Sequence, residues 1–504
     1  MQLPQVGQLE DVPCGGRPVD TDPHGGDPGR LAQVDGDHGE NLPAVVNRAH
    51  APAPGRLLAW EAGGDGCARD AHRARWTWEC LVAMQKWFGD AKLGIFVHWG
   101  IYAVDGVAES WSFYTGQVSY ERYMNQLHGF TASRYDPRAW ADLFARAGAG
   151  YAVLTAKHHD GVALYDTRHS GLSVATRTPA GRDLVTGYTE ALRERGLKVG
   201  LYFSHSDWSH PDYPTVRHPA PAEPSLNDSR FSAPPAGQED PERWERFLEF
   251  RAAQVREVAE RFRPDLLWFD GEWERSEEQW RMDELARDVT SVLPDTVFNA
   301  RMTGHGDYAT PEQGLPTEAP EGPWELCLTV NDSWGFQHTD TNQKSVGQLV
   351  RYFTETIGMG GNLLLAVGPR EDGTIPQAQA DRLTGLGDWI ARHTEAVHGT
   401  VAGLPAGHHY GPSTLSTDRR TLYLICFGTP HETVSVRGLS TPVKRVSVLA
   451  TGDVLPHRTT GGLGHVPGVL WIDAPTVGQI DPHATVLAVE LDGELELYRG
   501  TGRD

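Results

Sequence analysis

Between residues 86 and 398, short apolar runs alternate with longer stretches in which apolar residues recur three and four positions apart. The runs at 92–100, 151–160, 198–204, 265–270, 296–301, 325–330 and 362–367 are too short for helices of normal length and predict buried strands. The stretches at 137–149, 183–196, 242–263, 276–293, 345–358 and 376–393 each carry an apolar stripe and predict helices that cover a sheet. Gly196 closes one of these helices and Pro264 another. Strands that alternate with helices predict a parallel sheet clad in helices. This many units favours closure into a (β/α)8-like, TIM-type barrel, an α/β fold, over an open doubly wound sheet. No GxGxxG fingerprint follows the first strand, which weakens the open dinucleotide-binding alternative.

The pattern changes near residue 400. Segments such as 421–426, 434–436 and 485–490 are short and β-like, with turn residues between them and no long helical stretch. They predict an all-β sandwich over 400–504, behind a barrel domain over 84–397. Residues 1–80 differ from both. The first 75 hold 20 Gly and Pro and contain no Lys, Ile, Phe or Tyr. Such a segment offers too little apolar area to offset the entropy of ordering. The expectation is a disordered extension, or a start codon placed too early with the true start near Met84.

Charge narrows the function classes. The chain has 45 Lys+Arg against 67 Asp+Glu, a net charge of −22. That balance argues against nucleic acid and against anionic membrane surfaces, both of which call for basic patches. No apolar run approaches the roughly 18 residues that mark a membrane span. Five scattered cysteines without a CxxC pair argue against a zinc ribbon or a dithiol redox site. The opening Met1-Gln-Leu-Pro-Gln lacks the basic and apolar stretches of a signal peptide. The expected compartment is the cytoplasm, with export open if the start is misplaced.

Barrels carry their chemistry at the C-terminal ends of the strands. The residues there are His98 and Trp99, His158-His159-Asp160, Ser204-His205, Trp268-Phe269-Asp270, Arg301 and Asn331-Asp332. Aromatic faces with polar donors beside them suit sugar rings, and paired carboxylates suit glycoside hydrolysis. Adjacent His158 and His159 on a regular strand point to opposite faces, which disfavours a shared metal ion.

Four motifs carry a family resemblance: Lys92-Leu-Gly-Ile-Phe-Val-His-Trp-Gly-Ile101, Lys157-His-His-Asp-Gly161, Trp268-Phe-Asp-Gly-Glu-Trp273 and Asn331-Asp-Ser-Trp-Gly335. Together and in this order they resemble the α-L-fucosidases of glycoside hydrolase family 29. Asn362-Leu-Leu-Leu-Ala-Val-Gly-Pro369 with Asp372-Gly373 is similar to that family's late barrel motif. The resemblance implies a retaining exo-α-L-fucosidase that needs no cofactor and no metal. Its implied substrate is the terminal fucose of a fucosylated oligosaccharide or glycoconjugate. It implies Asp270 as nucleophile and an acid/base on the variable segment after the strand near Arg301. Two residues compete for that role. Glu312 lies in a Gly/Pro-punctuated stretch expected to loop over the barrel mouth, and it is preferred. Glu325 starts a strand and is the alternative. The resemblance further implies that His98, His158 and His159 bind fucose hydroxyls, with Tyr202, Trp268 and Arg301 at matching strand ends and Trp111 beside them. Ser110 stands where many relatives place a Glu directly before the Trp, so the role of Glu109 is open.

Two other classes fit the residues alone. A metal-dependent hydrolase on the same barrel would use the histidines. A non-catalytic sugar-binding protein would keep the aromatic platform without turnover. Linkage preference, homo-oligomerisation and the task of the sandwich stay open.

Overall fold

The computed structural model describes residues 86–217, 231–232, 238–428, 433–498 and 500. The expected extension at 1–80 lies outside them. Seven strands form the first sheet: β1 (Leu93–Val97), β2 (Tyr151–Lys157), β3 (Lys198–Ser204), β4 (Leu266–Asp270), β5 (Val297–Phe298), β6 (Glu325–Thr329) and β7 (Asn362–Val367). All their pairings are parallel, in the order β5-β4-β3-β2-β1-β7-β6.

Residues 307–313 span the interval between β5 and β6. Asn299 bridges to Tyr308, Ala309 to Trp324 and Glu312 to Cys327, all in parallel sense. The Asp307 amide donates to Phe298 O at 2.8 Å, and the Cys327 amide donates to Pro311 O at 3.1 Å. This segment is an eighth, irregular stave that closes the barrel. It corrects the expectation of a loop over the mouth at Glu312. Pro311 brings no amide to a ladder, and proline in a run argues against a strand, so the pattern hides the pairing. β5 is likewise shorter than expected, because Asn299 keeps only a single bridge, to Tyr308, and the chain turns from residue 300.

Local signals explain the helices. Asp136 caps Pro137–Arg146 by accepting from the Arg138 and Ala139 amides at 3.0 and 3.1 Å, with Pro137 in the first turn. Trp140, Ala141 and Phe144 form its buried stripe. Helix Pro241–Phe262 starts on Asp240 in the same way and ends at Arg263, which takes a left-handed φ of 46° before Pro264.

Alternate strand residues fill the barrel. Phe96, Tyr151, Val153, Tyr202, Leu266, Trp268, Val297, Cys327, Leu364 and Ala366 form one buried cluster, with Phe88 packed against Tyr151 and Tyr308. The interior is therefore a packed core, not a pore. Gly94 shares this inward parity, and a Cβ there would come within 2.3 Å of the Tyr151 ring. Only glycine lets the tyrosine cross the axis at that level.

The C-terminal strands are β8 (Thr400–Ala402), β9 (Ser413–Ser416), β10 (Thr421–Cys426), β11 (Thr433–Val436), β12 (Val443–Val448), β13 (His457–Thr460), β14 (Val469–Asp473) and β15 (Thr485–Leu491). They form a five-stranded sheet, β8-β9-β10-β15-β12, and a three-stranded sheet, β11-β14-β13. Leu422, Leu424, Leu487 and Val489 face Val434, Val436, Leu470 and Ile472 in a sandwich core. Tyr423, Ile425, Val486 and Ala488, on the other face of the five-stranded sheet, join the apolar layer formed by the outward faces of the barrel strands and their helices. The Trp389 indole also donates to Ala484 O at 2.9 Å. The sheet is buried on both faces, which is why 422–426 is a continuous apolar run rather than a clean alternation.

Candidate active site

The strand parity that fills the barrel also aims the site. Tyr202 and Asp270 are inward positions of β3 and β4, and His98 continues the inward parity of β1 one residue past its end. Asp270 is buried at the C-terminal end of β4. Its Oδ2 accepts from the Tyr202 hydroxyl at 2.7 Å, and its Oδ1 accepts from Arg301 Nη1 at 2.5 Å. Burial alone would push the carboxyl pKa up. Arg301 and the Tyr202 hydroxyl outweigh it and hold the pKa below the ordinary carboxylate value. Gly271 then turns the chain at a φ of +81°, where a Cβ would meet Ser206 Oγ at 2.3 Å. That turn leaves Asp270 at the tip of the strand.

Arg301 reaches two carboxylates. Its Nη2 donates to Glu312 Oε2 at 2.6 Å while Nη1 holds Asp270, and its guanidinium lies 4.6 Å over the Trp268 ring. Glu312 is partly exposed, on the closing stave beside Cys327. Glu325 sits one layer deeper and is fully buried. It accepts from the Trp268 indole at 2.9 Å and from the Tyr151 hydroxyl. Burial raises its pKa to about 7.

β2 ends at Lys157, three residues earlier than the apolar run suggested, so the strand alternation does not govern His158 and His159. Their rings lie 4.4 Å apart at one side of the site. The two imidazoles are anchored by serines: His158 Nδ1 bonds to Ser110 Oγ, and His159 Nδ1 to Ser204 Oγ at 2.6 Å. Ser204 Oγ gives its own proton to Ser206 O at 2.7 Å, so it accepts from His159 Nδ1–H. His159 Nε2 is therefore an unprotonated acceptor. It faces Asp270 Oδ2 at 3.5 Å without a hydrogen bond. His98 Nδ1 is also buried without a partner. Desolvation depresses the pKa of His98 to about 3 and of His159 to about 4, and puts His158 well below 6.5. All three are neutral imidazoles at physiological pH. Among the described residues, the His and carboxylate groups close enough together to hold a metal ion are Glu277, Asp283 and His305, none of which is a residue of this site.

Rings line the rest. His158 stacks on Tyr202 at 5.4 Å, and Tyr202 on Trp268 at 5.8 Å. Trp111 meets the His159 ring edge-on at 5.7 Å. The structure thus brings together His98, Trp111, His158, His159, Tyr202, Trp268, Asp270, Arg301 and Glu312, and sets Glu325 beneath them. Of the other neighbours, Trp334 and Glu272 were not singled out from the sequence, and the role of Glu109 was left open. Trp334 lies 5.0 Å from the His98 ring. Glu109, buried and raised to about 7 by desolvation, accepts from the Gly335 amide and ties that tryptophan's loop to the Trp111 segment. Glu272 has a buried Oε2 with no partner, and burial beside Asp270 raises its pKa to about 7. The one legible signal of Trp334 and Glu272 was membership of the quoted motifs; the serine anchors had none.

Chemistry at the anomeric carbon of a sugar is what this barrel mouth is equipped for, and the class that fold and site define is the glycoside hydrolases. The α-L-fucosidase family model matches residues 66–395, and the chain belongs to the α-L-fucosidase family. Tissue α-L-fucosidase of Rattus norvegicus is 30% identical over 371 residues, covering 68% of this chain and 76% of its own. α-L-Fucosidase isoenzyme 1 from Paenibacillus thiaminolyticus superposes with a TM-score of 0.72 at 32% identity, over 82% of this chain and 99% of its own. The α-fucosidase of Thermotoga maritima, solved in complex with fucose, gives 0.66 at 30% identity, over 82% and 99%.

Proposed function

We propose that this chain is a retaining exo-α-L-fucosidase that works through a covalent fucosyl-enzyme. The observation that carries this reading is the single Arg301 guanidinium that holds Asp270 and Glu312 on adjacent nitrogens. One guanidinium between two carboxyls is compatible with the separation of about 5–5.5 Å that double displacement requires. In the first step an Asp270 oxygen attacks C1 and the bond to the leaving oxygen breaks. Glu312 gives its proton to that oxygen, leaving a fucosyl ester and a Glu312 carboxylate. In the second step Glu312 takes a proton from water, the water oxygen attacks C1, and the ester opens to restore Asp270. Arg301 keeps Asp270 ionised at rest. The same guanidinium is bonded to Glu312, so substrate has to loosen that contact before Glu312 can reach the leaving oxygen.

Three further features support this reading. The packed layer of Trp268, Glu325 and Tyr151 floors the site, so it admits a terminal sugar rather than the middle of a chain. Neutral imidazoles at His98, His158 and His159 can accept from or donate to fucose hydroxyls. The fucose bound to the Thermotoga maritima relative supports fucose as the glycone. The test is NMR of the first sugar released from an aryl α-L-fucoside. α-Fucose is expected; β-fucose first would overturn retention, and no fucose would overturn the activity.

The depressed histidine pKa values carry a second expectation. Between pH 6.5 and 5 the imidazoles stay neutral and Asp270 stays ionised. kcat/KM is therefore expected to show no loss with a midpoint near 6.5 on acidification. A titration of kcat/KM from pH 7 to 4 checks this.

A further inference from the structure

Trp273 is 48% exposed, and it is the one large apolar side chain of the barrel in that condition among the described residues; the others, from Val401 to Val477, lie in the sandwich segment. Exposing half an indole leaves a large apolar surface in water. This one is also held still. Its ring lies parallel to Trp111, at 17° and 5.8 Å between centroids, and meets the His159 ring edge-on at 5.6 Å. Trp111 rests edge-on against Trp208, which stacks on Tyr114 at 4.0 Å. The chain on either side is pinned as well. Glu272 O accepts from the buried Trp280 indole at 2.7 Å, and the Glu274 carboxylate accepts from the Trp208 indole at 3.1 Å. A rigid, solvent-facing aromatic plane is preorganised, so a ligand that stacks on it loses little to ordering the protein.

Its place says what would stack. Trp273 is three residues past Asp270 and touches His159, whose Nε2 faces that carboxylate. The groups assigned above to the fucose ring are buried: His98, His158, His159 and Trp268. Of the rings set against that layer, Trp111, Trp334 and Trp273, Trp273 is the most exposed, and the solvent side is where the rest of a glycan must lie once its terminal sugar is held. Building on the proposed fucosidase activity, we propose that Trp273, backed by Trp111, is the leaving-group subsite and binds the C–H face of the pyranose to which fucose is attached.

The experiment compares kcat/KM for a panel of fucosyl disaccharides with kcat/KM for α-L-fucosyl fluoride, whose leaving group is one atom and cannot stack. In Trp273→Ala the disaccharide-to-fluoride ratio is expected to fall at least about tenfold, and in Trp273→Phe by less, because a smaller ring keeps part of the plane. Fluoride turnover in the same variant shows that it is folded. Should Trp273→Ala fail to turn over the fluoride, Trp273→Met takes its place in the comparison. An unchanged ratio in the alanine or methionine variant overturns the subsite. So does a wild type that consumes the fluoride but no disaccharide. A wild type that consumes neither overturns the fucosidase reading beneath it.

Discussion

Replacing Asp270 with asparagine is expected to lower kcat on an aryl α-L-fucoside by about four orders of magnitude, with the fold intact. The amide keeps the shape and can still bond to Tyr202 and Arg301, but it cannot form the ester. Removing a group on which the whole chemical step depends typically has consequences of this size. Glu312→Ala should lose about 10²–10⁴-fold, the range for a general acid/base. Added azide separates the two roles by stereochemistry. In Glu312→Ala azide opens the Asp270 ester, and two inversions yield the α-azide. In Asp270→Gly azide attacks C1 directly, and one inversion yields the β-azide. Product NMR and near-ultraviolet circular dichroism of each variant suffice. An active Asp270→Asn enzyme would remove the proposed nucleophile.

Removing the Glu325 side chain is expected to act on stability before chemistry. Glu325→Ala strands the Tyr151 hydroxyl and the Trp268 indole as buried donors. Each stranded donor costs about 1–3 kcal/mol. The cavity adds to this, so Tm should fall by several degrees, the slope for a barrel this large lying at or below the roughly 2 °C per kcal/mol found for domains of about 250 residues. Glu325→Gln keeps an acceptor for the indole and should be far milder. The pH dependence has a definite sign. The folded pKa of Glu325 is raised from 4.5 to about 7, so its stabilising contribution is complete below 4.5 and is lost as pH rises through about 7. At 1.36 kcal/mol per unit the loss is on the order of 3 kcal/mol. Glu325→Gln should therefore gain on the wild type between pH 5 and 8, measured as the difference in Tm. Its kcat should stay within about tenfold, since Trp268 remains supported. A hundredfold loss restored by azide would move the acid/base to Glu325.

Much of the site was legible because a buried barrel strand is a single apolar run that ends where its polar residues begin. That rule put His98, Trp268 and Asp270 at one mouth, while Tyr202, two residues inside the end of β3, came only from the family resemblance. It failed where the backbone departs from regular strand. Lys157 ends β2 early, so His158 and His159 share a side that alternation would deny them. The stave at 307–313 escaped notice because its pairings are single bridges around a proline, and Glu312 was consequently placed on a loop. Ser110 and Ser204 could not be assigned, since a serine's hydrogen bond to a histidine some 45 residues away leaves no periodic trace. Residues 422–426 alternate between two cores, so their apolar run marks a sheet covered on both sides rather than a simple sandwich strand.

That doubly covered sheet sets an order of events during synthesis. β15 is the last of the strands in sequence, yet it pairs with both β10 and β12 and lies inside the five-stranded sheet. The helices around Phe353 and Trp389 need that sheet as their outer wall, and the Trp389 indole finds its acceptor at Ala484. A nascent chain that has threaded every barrel strand still shows one apolar flank to water until residues 485–491 clear the ribosome. At about 5–20 residues per second, the roughly 90 residues between Val397 and β15 keep that flank bare for about 5–20 seconds. Chaperone demand should concentrate in that interval, late in translation and on the side of the barrel farthest in sequence from its first strand.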